Sequence, residues 1–566
     1  MSPMRRGIVV AGVVVGWVGC GGGGKKKAPM DAPPPCVMNL AGALTADRTI
    51  AGGCTVTVTD DVTVMSGTLT LEAGATVLFL EGRSLVVAPE AAAKLVVAGT
   101  IDQPVRMSAA PDVAAWGQLR VGPGATGSTI TGLSVEKAGK DGKSAVLIEA
   151  ADVAMTRSTV KDVGAVGIEL AADKSFGTFE DNRIERTGKE LVRIGPEAAG
   201  SIGEHNTFGG GGVIAVVPGT LSRSVTWRAR GAPYLVADML QVQMKDTRAT
   251  LTLDEGVEVR FTVKAGLGIG VNHPGGLKVS GTAARPVTLV SADGQAGAWN
   301  VWIGRHGEAV IDHAIVKGGG TDREAGAVAV RGGSLELYNT KLSDVVVGVS
   351  VDEKGKLAVD GCTFERTGLF AVSLATQLAS LRKNTFDSGA KVELRGGTID
   401  ESVTWKPETK VWWSGRVAVT KGALTIEAGS DFQMMDKASL DVIAAAPGKK
   451  KPAKADVASL VIKGTADAPV KMIGVRSTPG TWDNIGLTGV QDSTIEHLQL
   501  ASSGGDAAIT VGDGVHLSLA HVRCEQCAGA IVTSTCGGTV SAESIEVAGG
   551  TPAATVAPTC PAAATK

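Results

Sequence analysis

Aromatic residues are scarce in this chain of 566 residues, which has nine Trp, nine Phe and only two Tyr. Few side chains can therefore stack on sugars or bases. A strong charge of one sign is also missing, because 55 Lys and Arg oppose 57 Asp and Glu and leave a formal net charge of -2. A nucleic-acid-binding protein normally carries a basic excess or a basic face, so we expect no nucleic-acid partner.

The sequence has no long hydrophobic run at its start. The apolar stretch 7–19 follows two Arg and is too short to span a bilayer as a helix, which takes about 20 residues. This pattern predicts an export signal over 1–19. The stretch ends in WVGC at 17–20, which resembles the lipobox of bacterial lipoproteins, where the Cys is acylated. Trp17 departs from that pattern, so the alternative is an ordinary secretory signal with an incidental Cys20.

Residues 20–35 are rich in Gly, Lys and Pro, a composition typical of a flexible tether. The lipoprotein resemblance implies that acyl chains on Cys20 anchor the protein in a membrane. Gly21 stands where the family's inner-membrane retention signal has Asp, which implies the outer membrane. Exposure to the periplasm or to the cell surface remains open.

Seven cysteines follow Cys20, and their odd number leaves at least one unpaired in an oxidising compartment. We expect Cys36 to pair with Cys54, because the two close a short loop at the start of the fold. Cys362 is most simply a buried thiol. No His/Cys set with zinc spacing is present. The last four cysteines are further disulfide candidates that can pair in three ways: Cys524, Cys527, Cys536 and Cys560.

A threefold internal repeat dominates the rest of the chain. A Gly-Thr…Pro-Val turn recurs at 99–105, 281–287 and 464–470, and a Trp follows each turn: Trp116, Trp299 and Trp482. The phrases LTLEAG, LTLDEG and LTIEAG precede the turns. The third copy carries about ten extra residues as a Lys-rich surface loop at 447–454. The repeat predicts modules at 36–218, 219–396 and 397–555, followed by a tail at 556–566.

Within each module, short β-branched runs return every 8 to 11 residues between Gly, Asp and Ser turns, without sustained helical periodicity. This pattern predicts an all-β protein. Three short strands in every 22 to 25 residues suit a coil of a parallel β-helix, a solenoid. A tandem array of β-sandwiches is the rival, but an immunoglobulin domain would show a Cys, Trp, Cys set and a tyrosine corner.

The phrases STITGLSVEKAG at 128–139, AVIDHAIVKGGG at 309–320 and STIEHLQLASSG at 493–504 complete the repeat. The whole pattern resembles right-handed parallel β-helix proteins of the pectin-lyase-like superfamily, and more specifically exported bacterial β-helix repeat lipoproteins. The resemblance covers almost all of 55–550 and implies a right-handed solenoid. These motifs specify a fold rather than an activity.

Many proteins with that fold are polysaccharide lyases or glycosidases, which need paired carboxylates or Ca²⁺-binding acids beside a base. The chain has no Asn-Thr-Asp, Gly-His-Gly or Arg-Ile-Lys string of the polygalacturonase type, and its seven His form no metal-binding spacing. We therefore propose no catalytic residue. The pairs Asp312-His313 and Glu496-His497 are interpreted as surface pairs.

Residues that recur in every module serve what every module does, which is folding. Trp116, Trp299 and Trp482 are thus predicted to pack, with a sugar platform as the alternative. An Asp also recurs in the Gly-rich turns of each module: Asp141, Asp322 and Asp506. We expect these residues to cap the turns, with Ca²⁺ binding as the alternative. No other cofactor is expected. The candidates for stacking on a ligand are Trp412 and Trp413, of which only one can face outwards in a strand.

Together these patterns predict a lipid-anchored outer-membrane protein with a parallel β-helix body. We expect a non-catalytic scaffold, or a surface that binds polysaccharide or an envelope protein. One alternative is a polysaccharide lyase or glycoside hydrolase, in which acidic side chains would cluster on one face midway along the solenoid. A surface adhesin is the other alternative.

Overall fold

The computed structural model describes residues 36–188, 190–322, 325–367, 370–372, 374–443, 457–489, 492–548 and 555–556. The predicted signal, the tether, the Lys-rich loop and nearly all of the tail lie outside these ranges, and so do Cys20 and Cys560. Within them, no helix has both the length and the apolar character needed to cross a membrane.

The described chain is almost entirely β. Strands β1 to β20 are, in order, Val37–Leu44, Arg48–Ile50, Thr55–Val64, Gly67–Glu72, Thr76–Phe79, Leu85–Val87, Ala93–Ala98, Val105–Ala109, Leu119–Val121, Thr129–Thr131, Leu133–Glu136, Val146–Ile148, Ala154–Thr156, Thr159–Lys161, Val166–Leu170, Thr178–Glu180, Arg183–Glu185, Glu190–Ile194, Thr207–Phe208 and Val213–Val216. Short 3₁₀ helices lie at Lys140–Gly142 and Ala198–Ser201.

Strands β21 to β42 are, in order, Thr220–Leu221, Val225–Trp227, Tyr234–Val236, Met239–Val242, Ala249–Asp254, Glu258–Phe261, Gly266–Ile269, Gly275–Ser280, Val287–Ser291, Asn300–Ile303, Gly307–Asp312, Ala314–Lys317, Val328–Val330, Ser334–Tyr338, Lys341–Ser343, Val349–Val351, Lys356–Asp360, Thr363–Glu365, Phe370–Val372, Leu381–Arg382, Thr385–Phe386 and Val392–Leu394. The single α-helix of the described residues is α1, Ala375–Leu378.

Strands β43 to β58 are, in order, Gly397–Ile399, Val403–Trp405, Val411–Trp413, Arg416–Val419, Gly422–Glu427, Asp431–Met434, Ser439–Ile443, Ala458–Lys463, Val470–Gly474, Ile485–Thr488, Ser493–Ala501, Ala507–Val511, His516–Glu525, Ala530–Ser534, Thr539–Ala548 and Thr555–Val556. All strand pairs are parallel, and they stack as a solenoid of about 20 turns. The predicted all-β parallel solenoid is therefore confirmed.

Each turn places one strand on each of three faces. We call these face I, which holds β8 (Val105–Ala109), face II, which holds β9 (Leu119–Val121), and face III, which holds β10 (Thr129–Thr131). Strand β11 (Leu133–Glu136) then stacks on β8 and begins the next turn. Alternate residues point inwards, as in β5, where Val77 and Phe79 are buried. Inward side chains form columns, such as Val77, Met107, Val135, Val160 and Ile184.

The repeated Trp residues belong to this interior. Trp116, Trp299 and Trp482 are at most 1% exposed. Their indole N–H groups donate to the backbone oxygens of Glu136, Lys317 and Ala501 at 2.8, 3.2 and 2.8 Å. The ring of Trp116 stacks on Phe79 at 4.0 Å between centroids, and that of Trp299 stacks on Phe261 at 4.4 Å. Packing is thus the role that the structure assigns to all three.

The modules form one continuous solenoid, but each is rotated by one face. The strand after the Gly-Thr…Pro-Val turn is β8 on face I, β29 (Val287–Ser291) on face II and β51 (Val470–Gly474) on face III. Twenty-two strand positions separate each of these strands from the next, counting residues 202–204, which hydrogen-bond to the β16 turn at the place where the second module has β40 (Leu381–Arg382). Because 22 is three times seven plus one, each module starts one face further round.

Two strand pairs that cross the module boundaries show this rotation directly. At the first boundary, β20 lies on face II of the first module, as β9 does. It pairs through Ala215 and Leu235 with β23, which belongs to the same column of strands as β29, the second-module equivalent of β8. At the second boundary, β42 pairs with β45 through Glu393 and Trp412 in the same way. Equivalent surfaces of the three modules therefore point in three directions.

Candidate functional site

Every module has a corner at which one residue in the left-handed region separates two strands. In the first module, Gly132 lies between β10 and β11. The φ angles of these corner residues fall between 46° and 68°. Gly, Asn, Asp and His tolerate this conformation better than most residues. The corner residues are Gly132, Arg157, Asp181 and His205, then His313, Asn339, Gly361 and Lys383, then His497, His521 and Ser544.

The repeated Gly-Thr turn fits against the first corner residue of each module. A Cβ on Gly99, Gly281 or Gly464 would lie 2.2, 2.1 or 2.3 Å from the backbone oxygen of Gly132, His313 or His497. Only a residue without a side chain allows the backbones of these two turns to pack so closely. This contact explains why the glycine recurs in all three copies.

Inward side chains next to the corners form a polar ladder that holds consecutive turns together. The backbone N–H of Ser158 donates to Asn182 Oδ1, and that of Asn182 donates to Asn206 Oδ1, both at 3.0 Å. In the second module, the backbone N–H of Cys362 donates to Asn384 Oδ1 at 3.0 Å. Cys362 is a free thiol in this ladder, and its burial raises its pKa to about 11.

The corner of the first module, at the edge between faces III and I, opens into a cleft of about 580 Å³. Hydroxyl groups line its floor, including those of Ser134 and Thr159. The aliphatic side chain of Ile101, at one lip, is 80% exposed. We call this surface the first-module cleft; its lining residues are Thr100, Ile101, Pro104, Arg106, Leu133, Ser134, Glu136, Arg157, Ser158, Thr159, Lys161 and Asp181.

The third module has a smaller cleft of about 260 Å³ at its own corner, on the edge between faces II and III. The imidazole rings of His497 and His521 stack there, 4.4 Å apart and 12° from parallel. Arg523 and Glu546 also line this cleft. The two clefts thus share a backbone and differ in side chains.

The second-module corner, between faces I and II, carries an acidic cluster instead. Asp312, Tyr338 and Asp360 stack on successive strands, and Glu336 lies two residues before Tyr338. Asp312 Oδ1 accepts from Asn339 Nδ2 at 3.0 Å and lies 2.7 Å from His313 Nδ1. Desolvation, with the nearby carboxylates, raises the pKa of Tyr338.

The two adjacent tryptophans point to opposite sides of β45. Trp413 is fully buried, and Trp412 faces outwards and is partly exposed. Lys391 Nζ lies 4.2 Å from the centre of the Trp412 ring, a cation–π contact that occupies one face of the ring. Trp302 is a second outward tryptophan, with Arg331 over its ring at 5.5 Å.

Glu393 is the single Asp, Glu, Lys, Arg or His among the buried residues that the structure describes, with 4% of its side chain exposed. Its carboxylate accepts from Arg395 Nε at 3.0 Å and from Ser414 Oγ at 3.0 Å. It lies on β42 at the second module boundary. The hydrogen bond from Ser414, which follows β45, links this carboxylate to the third module.

The recurring Asp residues lie in turns. Asp322 Oδ1 accepts from the backbone N–H of Ala325 at 2.9 Å, which is the bond expected of a turn cap. Asp141 has a φ of 61° within the 3₁₀ helix, and Asp506 accepts from the backbone N–H of Ala530 through its own backbone oxygen. Over the described ranges, no group of three or more His, Cys, Asp or Glu is arranged to hold a metal ion.

Cys36 and Cys54 lie at disulfide distance, and this bridge ties β1 to the start of β3. Cys524 and Cys527 form a second close pair. Cys536 is also disulfide-bonded.

Sequence patterns did not indicate the clefts. Their lining residues come from several turns, and they differ between modules. The signal that could have found them is divergence at equivalent outward positions of the three copies. A comparison with protein-family models and with curated proteins found no match for this chain.

Proposed function

We propose that this protein is a non-catalytic lipoprotein of the bacterial outer membrane, anchored through Cys20, whose solenoid is a rigid scaffold that presents binding surfaces. The observation that carries the proposal is the one-face rotation of the modules. Twenty turns at about 4.8 Å each make a rod roughly 95 Å long. Its three corners point in different directions and bear different side chains, an arrangement suited to several contacts along one rod.

The anchor is tested by comparing the wild-type protein with Cys20→Ser after export in a bacterium supplied with labelled palmitate. We expect label and outer-membrane fractionation for the wild type, and an unlabelled soluble periplasmic product for the variant. Identical labelling and fractionation of the two proteins would contradict the proposal. Protease treatment of intact cells separates a periplasmic scaffold, which is protected, from an adhesin, which is cleaved.

The second candidate function is glycoside hydrolysis in the acidic cluster of the second module. Asp312 and Asp360 lie two strands apart, about 9.6 Å between backbones. Inverting glycosidases hold their carboxyl groups about 6.5–9.5 Å apart. Against this candidate, Asp312 is already engaged by His313 and Asn339.

A turnover screen decides between these functions. The purified protein is incubated with a panel of polysaccharides, with and without Ca²⁺, and unsaturated products and reducing ends are measured. The scaffold proposal expects no turnover. Turnover that Asp312→Asn abolishes, and that the equivalent third-module change Glu496→Gln preserves, would replace the scaffold with the hydrolase.

A further inference from the structure

The first-module cleft differs from the other two corners in ways that the fold does not require. Its three distinctive residues are Ile101, Arg106 and Arg157. The second module has Ala283, Thr288 and Asn339 at these positions, and the third has Ala466, Lys471 and His521. Because all three sets of side chains stand on the same backbone, the residues of the first module are not dictated by folding.

The two arginines of this cleft have no partner among the described side chains. Neither guanidinium donates a hydrogen bond or forms an ion pair within that part of the chain. By contrast, Lys161 in the same cleft pairs with Glu136 at 3.0 Å, and Asp181 lies 3.6 Å from His205. The cleft therefore offers two guanidinium groups that form no ion pair within the described chain.

The apolar part of the cleft indicates the class of ligand. Ile101 and Pro104 form an aliphatic lip, and none of the lining residues is aromatic. Sugars stack on aromatic rings, which this cleft lacks, whereas Arg is enriched in protein–protein interfaces. This composition favours a peptide over a glycan.

We propose that the first-module cleft docks an acidic protein segment that carries an aliphatic side chain next to two carboxylates. Arg106 and Arg157 lie two turns apart along the axis, about 9.6 Å. An extended peptide spans this distance with acidic residues three positions apart, at about 3.3 Å per residue. The aliphatic side chain packs on Ile101 and Pro104. This inference rests on the proposed scaffold function and specifies one of its partners.

The test is a selection of random 12-residue displayed peptides on the purified protein, followed by anisotropy titration of the selected peptides. The variant Ile101→Ala/Arg106→Thr/Arg157→Asn gives the first cleft the side chains of the second module, which the same backbone already accommodates. The matched control Lys471→Thr/His521→Asn makes comparable changes at the third corner. Arg157→Asn alone serves if the triple variant does not fold.

We expect selected peptides to carry two acidic residues three positions apart beside Leu, Ile or Val. Their affinity should fall at least tenfold on the triple variant, fall measurably on Arg157→Asn, and stay unchanged on the control. Non-acidic peptides, or equal binding to all variants, would overturn the proposal. So would polygalacturonate that displaces the selected peptides and itself binds at this cleft. Polysaccharide turnover would refute the scaffold function without changing the peptide result, so the two failures are distinguishable.

Discussion

The corners of the first and second modules have the same backbone and opposite surfaces. Gly132 and His313 have φ angles of 62° and 49°, and both accept the close approach of a Gly-Thr turn. Outside, the first corner presents unpaired arginines and the second an acidic cluster. Inward residues therefore maintain the backbone, while outward residues are free to diverge. Comparing the three copies therefore separates the positions that folding constrains from the positions that it leaves free to vary.

The largest loss of stability is expected for changes to the tryptophans buried in the core of the solenoid. Trp116→Ala and Trp299→Ala should each cost about 3–5 kcal/mol of local stability, because each leaves a cavity in the core. Hydrogen exchange of the flanking strands measures this loss. The control is Trp302→Ala, which removes an outward ring from β30, the strand that directly follows Trp299, and should cost far less. A large difference between the two buried tryptophans would break the equivalence of the modules.

The next effect concerns the glycine of the repeated turn. Gly99→Ala, Gly281→Ala and Gly464→Ala should each cost about 1–3 kcal/mol, because the new Cβ overlaps a backbone oxygen. Limited proteolysis of the adjoining loops reports this change. Gly219→Ala is the control, because this glycine lies outside the left-handed region and its added Cβ would come no nearer than 4.0 Å to another atom, Pro196 Cγ. A tolerated substitution at one of the three turns would show that this corner is built differently.

Corner residues give a smaller effect. His313→Val and Arg157→Val should each cost about 1–2 kcal/mol, because a β-branched residue is strained at positive φ. Arg157→Asn should leave stability unchanged or raise it. Urea denaturation followed by circular dichroism compares the variants. Equal stability of the Val and Asn variants would contradict the left-handed assignment.

The smallest effect concerns two equivalent surface ion pairs, Asp162 with Arg186 and Asp344 with Arg366. Hydrogen bonds from the guanidinium groups lower the pKa of both carboxyls. Because the folded pKa is below the unfolded value, the pairs stabilise above the unfolded pKa, about 3.9, and lose this contribution as pH falls through the folded pKa. Exposure keeps the contribution small.

Arg186→Gln and Arg366→Gln should therefore each lower Tm slightly at pH 7 and low salt, and not at pH 2. Gln526→Ala, at the third-module position equivalent to Asp162 and Asp344, is the uncharged control. A decrease in Tm that persists at pH 2 would show that the arginines contribute through packing instead of charge.

The sequence was sufficient for the class of fold and for the role of the repeated residues. Short β-branched runs and the triplicated Trp and Gly-Thr turns indicated a parallel solenoid, because these inward positions obey the same packing constraint in every module. The rotation was not predictable, since it depends on whether the number of strand positions per module is a multiple of three, and residues 202–204 fill one such position without forming a strand. The clefts depend on outward residues such as Ile101 and Arg157, which no periodicity constrains.

The continuous, rotated solenoid is tested most directly by disulfide cross-linking at the first boundary. Ala215 and Leu235 face each other on adjacent strands, within the Cα separation of about 4.4–6.8 Å that a disulfide allows. We predict that Ala215→Cys/Leu235→Cys forms a reducible cross-link under mild oxidation, whereas Thr207→Cys/Leu235→Cys does not. The opposite result would place β23 above β19 instead of β20. It would contradict the rotation on which the proposed function rests.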